Sequence, residues 1–161
     1  MTTRFKICGL RDARHAIFAA ELGAHFLGFV FVNGVRRQLT PQRAAEIISE
    51  YRRDGRSEGP KVVGLFANQP IDFVNDVAAL CALDFAQLCG DETPEYWEQV
   101  NPAIIKQIKV RTDTEDVSDR DEAIAITQSR VDDVLTLGHM ALLDAYEPGH
   151  LGGTGTTFDW S

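Results

Sequence analysis

Glu21-Leu22-Gly23-Ala24-His25-Phe26-Leu27-Gly28-Phe29 closes an amphipathic segment, turns at a glycine and opens an apolar run. Leu80-Cys81-Ala82-Leu83-Asp84-Phe85-Ala86-Gln87-Leu88 does the same further along the chain. A recurring unit that ends a helix, turns and begins a strand suggests a (βα) barrel more than a doubly wound sheet. Periodicity alone does not choose between the two.

Outward from these passages, short apolar runs alternate with segments of helical period, the βαβα pattern of a parallel sheet. Residues 5–8, 26–31, 62–66, 85–88, 104–108 and 140–144 are the expected strands. Several are apolar on consecutive residues, as in strands covered on both faces. Between them, Ala13, Ala16, Ile17 and Ala20 share a helical face, with Asp12 placed to cap it and Gly23 to stop it. Thr40-Pro41 joins an N-cap to a proline at the first helical position, ahead of inward Ala44, Ile47, Ile48 and Tyr51. Ile71, Val74, Val77, Ala78 and Cys81 make a third stripe. Thr93-Pro94 opens a fourth helix carrying Tyr96, Trp97 and Val100, and a fifth falls within residues 118–134. The polar stretch 52–60 reads as a loop. A closed barrel of this kind needs eight strands, and six are visible.

The 161 residues fit one domain, spanning 1–161, with 44% hydrophobic and 25% charged residues as in ordinary globular chains. A net charge of −8 argues against nucleic acid or an anionic membrane as partner. An anionic small molecule remains compatible, because local arginines and helix N-termini bind phosphate on acidic proteins. No apolar run is long enough to span a bilayer, and the N-terminal residues carry no apolar signal region. Cys8, Cys81 and Cys89 are odd in number and widely spaced, which suits a reducing compartment. The expected location is the cytoplasm.

Two strand ends carry reactive groups. Lys6-Ile7-Cys8-Gly9-Leu10 puts a thiol just before a turn glycine, and Leu142-Leu143-Asp144-Ala145 puts a carboxylate at the end of another apolar strand. Glycines from 149 to 155 follow it. A thiol and a carboxylate at the exits of two parallel strands read as a base and an acid facing one pocket. Taken singly, a strand-end cysteine is more often apolar filler and an aspartate more often a loop or cap residue. Histidines 15, 25, 139 and 150 show no metal-ligand spacing and read as surface or loop residues.

Together with Leu27-Gly28-Phe29-Val30-Phe31 and Arg37, Val63-Gly64-Leu65-Phe66-Ala67-Asn68-Gln69, Gln87-Leu88-Cys89-Gly90-Asp91-Glu92 and Gly152-Gly153-Thr154-Gly155-Thr156-Thr157-Phe158-Asp159-Trp160, these stretches resemble the phosphoribosylanthranilate isomerase family, in order and spacing. The resemblance implies an α/β fold of the (βα)8 TIM-barrel type, of which this chain carries about six βα units. It implies an Amadori rearrangement of a phosphorylated small molecule in tryptophan biosynthesis, with no cofactor and no metal. Cys8 matches the family's general base, Asp144 its general acid and Arg37 the arginine on the anthranilate carboxylate. Gln87, Gly152 and Gly153 fall at substrate-binding positions, the two glycines in a loop that folds over the substrate. The chemistry asks for these types independently. Ring opening needs a carboxylic acid to protonate the ribose oxygen, and the shift of unsaturation from C1 to C2 needs a base, which a thiolate in electropositive surroundings can be.

The chain departs from the family at Cys89, where histidine is usual, at Thr156, where lysine is common, and at Val35-Arg36, which replace Ser-Pro. The family's barrel runs to roughly 200 residues, so the last two strands have no counterpart here and strands 1 and 6 are expected to be open edges. Monomer, homodimer and association through those edges are the expected states. Two other readings compete. One is an isomerase of the histidine-pathway aminoaldose, which Cys8 opposes because that family uses two aspartates. The other is a silent barrel fragment completed by a partner.

Overall fold

The computed structural model describes residues 3–53, 59–110 and 117–145. Among the described residues six strands lie in one parallel sheet in sequential order, β1 (Lys6–Cys8), β2 (Phe26–Val30), β3 (Lys61–Phe66), β4 (Phe85–Leu88), β5 (Ala103–Val110) and β6 (Met140–Ala145). A doubly wound sheet reverses its order partway; this one never does. With crossovers of one hand, helices α1 (Ala13–Glu21), α2 (Pro41–Arg52), α3 (Ile71–Cys81), α4 (Pro94–Trp97) and α5 (Val117–Thr136) stack on one face, and the choice left open by periodicity falls to the barrel type.

The strands sit where the apolar runs place them, with β5 longer by three residues in all and β1 starting one residue late. Asp12 caps α1 through the amide of His15, and Thr40 caps α2 through that of Arg43, each leading a helix at its expected start. The fourth helix departs from expectation: it ends at Trp97 and does not reach Val100. Just past its end the amides of Gln99 and Val100 bond three residues back to Tyr96 and Trp97, a tightening that precedes Asn101-Pro102. His25 and His139 stand in loops between helix and strand, as expected, and are half-buried there; each ring meets an aromatic edge-on, Phe5 and Trp97 respectively.

Alternation along each strand sorts the two faces. Leu27, Phe29, Val62, Phe66, Ala86, Leu88 and Ile104 point to the helices and are almost wholly buried against Ala16, Ile47, Tyr51, Val74 and Val77. The opposite face carries Lys6, Cys8, Gly28, Val63, Phe85, Gln87, Ile105 and Gln107. That face is concave. On a flat sheet β1 and β4 would stand about 14 Å apart, three strand spacings. Yet Lys6 Nζ donates to Gln87 Oε1 across them. β1 and β6 are the outer strands of the described sheet, and Phe5, Ile7, Phe18 and Leu22 near one, with Leu135 and Met140 near the other, stand exposed.

Candidate active site

Register decides whether Cys8 and Asp144 face the same side. Cys8 pairs with Gly28, Gly28 with Val63, Val63 with Phe85, and Phe85 with Ala103 on β5. Asp144 pairs with Lys109 on the same strand. The offset, 109 − 103, is six residues along β5. An even offset keeps both side chains on the concave face. Tilted strands in a curling sheet accumulate such a stagger, so residues at different register levels arrive at the same rim. Both groups are partly exposed at strand C-terminal ends, where a solute can reach them.

Two glycines make room at β1. A Cβ on Gly28 would stand 2.9 Å from Cys8 Sγ, so the bare backbone of β2 is the seat of the thiol. Gly9 has φ of +76°, which turns the chain out of β1, and a Cβ there would lie 2.4 Å from Arg37 Cδ. Arg37 lies across this glycine and donates from Nη1 to the Cys8 carbonyl oxygen at 3.2 Å. Of the two adjacent arginines, Arg37 is thus the one at the end of β1, its charge exposed to solvent. We expect Gly9→Ala to cost about 1–2 kcal/mol through left-handed strain alone and to dislodge Arg37; urea unfolding reads the first and an arginine side-chain NMR signal the second.

On β4, Gln87 is 3% exposed and both ends of its amide are engaged: Oε1 accepts from Lys6 Nζ, and Nε2 donates to Cys89 Sγ at 3.3 Å. It reaches the open space of the concave face through Lys6. Cys89 is buried, and burial pushes its thiol up to about 11, against a smaller opposite pull from the Gln87 hydrogen bond. It is a neutral thiol at pH 7, unsuited to act as a base. Cys81, packed in the helix layer, is likewise pushed up to about 11 by burial. Both thiols hold their protons more tightly folded than unfolded, so the stability they contribute is present below about pH 9 and is lost as pH rises towards about 11. Melting temperature is expected to fall across that window, and less steeply in a Cys81→Ala/Cys89→Ala protein.

Gln107 adds to this rim, and the pair Lys106–Glu92 braces β5 from its other face. Gln107, 6% exposed on β5, donates from Nε2 to Asp144 Oδ2 at 2.8 Å. Lys106, on the helix side of β5, meets Glu92 at 2.7 Å with side chains 9% and 1% exposed. Lys106 also donates to the carbonyl oxygens of Leu88 (3.4 Å) and Gly90 (2.6 Å), while Glu92 accepts from the amides of Asn68 (2.8 Å) and Gly90 (3.2 Å). Asn68 holds φ of 60° and takes the Asp91 amide at 2.8 Å, directly over Gly90, where a Cβ would strike it at 2.3 Å. One buried ion pair therefore ties the loops after β3 and β4 to β5. A lysine inside the apolar run Ile104–Ile108 was the available signal for it, since a charge in a doubly covered strand requires a partner. Gly152, Gly153 and Thr156 lie outside the described residues. Among the described residues no group of three or more His, Cys, Asp or Glu could hold a metal, and no helix is long and apolar enough to cross a membrane.

A family model described as N-(5'phosphoribosyl)anthranilate (PRA) isomerase matches residues 5–161. The N-(5'-phosphoribosyl)anthranilate isomerase of Geobacter sulfurreducens is 43% identical over 157 residues, covering 98% of this chain and 68% of its own length. Phosphoribosyl anthranilate isomerase from Thermotoga maritima superposes with a TM-score of 0.77 at 28% identity, over 99% of this chain and 69% of that one. A second isomerase structure, in complex with reduced 1-(o-carboxyphenylamino)-1-deoxyribulose 5-phosphate, gives a TM-score of 0.71 at 26% identity, over 91% of this chain and 66% of that one. The chain spans about two thirds of the length of these relatives.

Proposed function

Because the chain belongs to the N-(5'-phosphoribosyl)anthranilate isomerase family, we propose that its concave rim performs that isomerisation, converting N-(5-phosphoribosyl)anthranilate to 1-(2-carboxyphenylamino)-1-deoxyribulose 5-phosphate in tryptophan biosynthesis. The observation that supports the reading best is the convergence of Cys8 and Asp144 on one face at two strand ends, with Arg37 against the Cys8 carbonyl.

Asp144 gives its proton to the ribose ring oxygen. The C1–O bond breaks, and the anthranilate nitrogen lone pair closes a C1=N iminium. Cys8, as thiolate, takes the proton from C2; the C–H electrons form C1=C2 and neutralise the nitrogen. The resulting enol ketonises at C2 as C1 gains a proton, so atoms balance and no electron acceptor is needed. Arg37 presents a planar two-donor fork to the anthranilate carboxylate, the geometry in which arginine outperforms lysine. Gln87 acts from beneath by holding Lys6. The cytoplasm is the location this reading proposes. The histidine-pathway alternative is disfavoured by a thiol in the base position.

The test is the loss of anthranilate-type fluorescence when the chain meets freshly generated substrate. Turnover above the uncatalysed rate carries the reading; a folded chain that leaves the signal unchanged overturns it.

A further inference from the structure

The carboxylate given the acid role is itself held. Gln107 lies on β5 two positions before Lys109, the register partner of Asp144, and so occupies the diagonal neighbour position on the same face. From there Nε2 donates the 2.8 Å bond to Asp144 Oδ2, in a site where Gln107 is 6% exposed. A carboxamide nitrogen can only donate. Oδ2 is therefore an acceptor whether the carboxyl is ionised or protonated, and the proton of the acid form is left to Oδ1. The identity of the donor matters as well. An ammonium at this point would favour the ionised carboxylate and oppose proton delivery, whereas a neutral amide orients the group without adding charge. The cation nearest by register, Lys109, instead pairs with Asp91, Nζ to Oδ1 at 3.7 Å.

We propose that Gln107 is the positioning residue of the general acid: it reserves Oδ1 of Asp144 as the proton-donating oxygen and fixes its direction on the concave rim. The proposal rests on the reading of Asp144 as that acid. It gives the middle of β5, which the strand-end motifs leave without a function, a part in the reaction.

A double-mutant cycle on the whole chain tests it, with turnover followed by substrate fluorescence. Gln107→Met, of similar volume, is expected to lower kcat by about 10- to 100-fold, the scale of a misoriented catalytic group, with KM changed less than about threefold. In an Asp144→Ala background the same substitution is expected to add less than about a factor of two, because the residue acts only through Asp144. Wild-type turnover in Gln107→Met, or a full further loss on top of Asp144→Ala, overturns the positioning role. Wild-type turnover in Asp144→Ala overturns the acid assignment itself, which separates the two failures. A second readout needs no turnover: the Gln107 side-chain amide cross-peaks are expected to move upfield in Asp144→Ala, and unmoved peaks overturn the hydrogen bond and the proposal with it.

Discussion

Turnover is expected to fall by about 10²- to 10⁴-fold in Cys8→Ala, and by a similar factor in Asp144→Asn, with the fold retained in both. The two substitutions remove different steps. On the proposed mechanism, without the Asp144 proton the ribose ring oxygen leaves as an alkoxide, and without the Cys8 thiolate the C2 proton passes only to water. Neither side chain carries the packing of the core, which lies on the helix side of the sheet. Cys8 occupies the space above Gly28 and Asp144 stands at a rim, so stability should change by less than about 1 kcal/mol, as for substitutions away from packed sites. Urea unfolding alongside the fluorescence assay separates a chemical loss from a folding loss. Near-normal turnover in Cys8→Ala would remove the base assignment.

The largest expected effect on stability is at the ion pair on the other side of β5. Lys106→Met leaves the Glu92 carboxylate, 1% exposed, without its cation, and breaking a buried pair from one side costs about 3–5 kcal/mol. It also removes the donor to the carbonyls of Leu88 and Gly90. Most of that penalty belongs to the stranded charge rather than to the attraction lost. The double replacement Lys106→Met/Glu92→Met should therefore recover a substantial part of it, apart from the bonds that Glu92 makes to the amides of Asn68 and Gly90. The urea midpoints of the two variants check the prediction, and a double replacement no more stable than Lys106→Met alone would contradict it.

Much of this molecule can be read along the chain, because its repeat is local. Apolar runs gave strand positions, Asp12, Thr40 and the Thr93-Pro94 pair marked helix starts, and the thiol and carboxylate stood out at strand ends. What could not be read depends on distant partners, the end of α4 excepted. The early end of α4 follows from bonding three residues back before Pro102, a local effect that stripe counting overlooks. The Lys6–Gln87–Cys89 contacts require the sheet to curl, and the Gln107–Asp144 bond requires the register of β5 on β6. Cys89, where the family usually has histidine, cannot be read from the sequence alone; its burial is what keeps the thiol protonated.

The stagger that carries Cys8 and Asp144 to one rim has a consequence for how the protein comes into being. Among the described residues, Asp144 is linked to Cys8 through five successive strand pairings, with the Lys6–Gln87 contact bridging β1 to β4. A slip of one residue in any of them would turn one of the two groups to the helix side and bury it there. Reactivity is therefore a proofreading signal for the whole sheet. On the proposed mechanism, a nascent chain short of β6, or a molecule threaded out of step, holds only one of the two groups, so full turnover would report a sheet paired in register from β1 to β6.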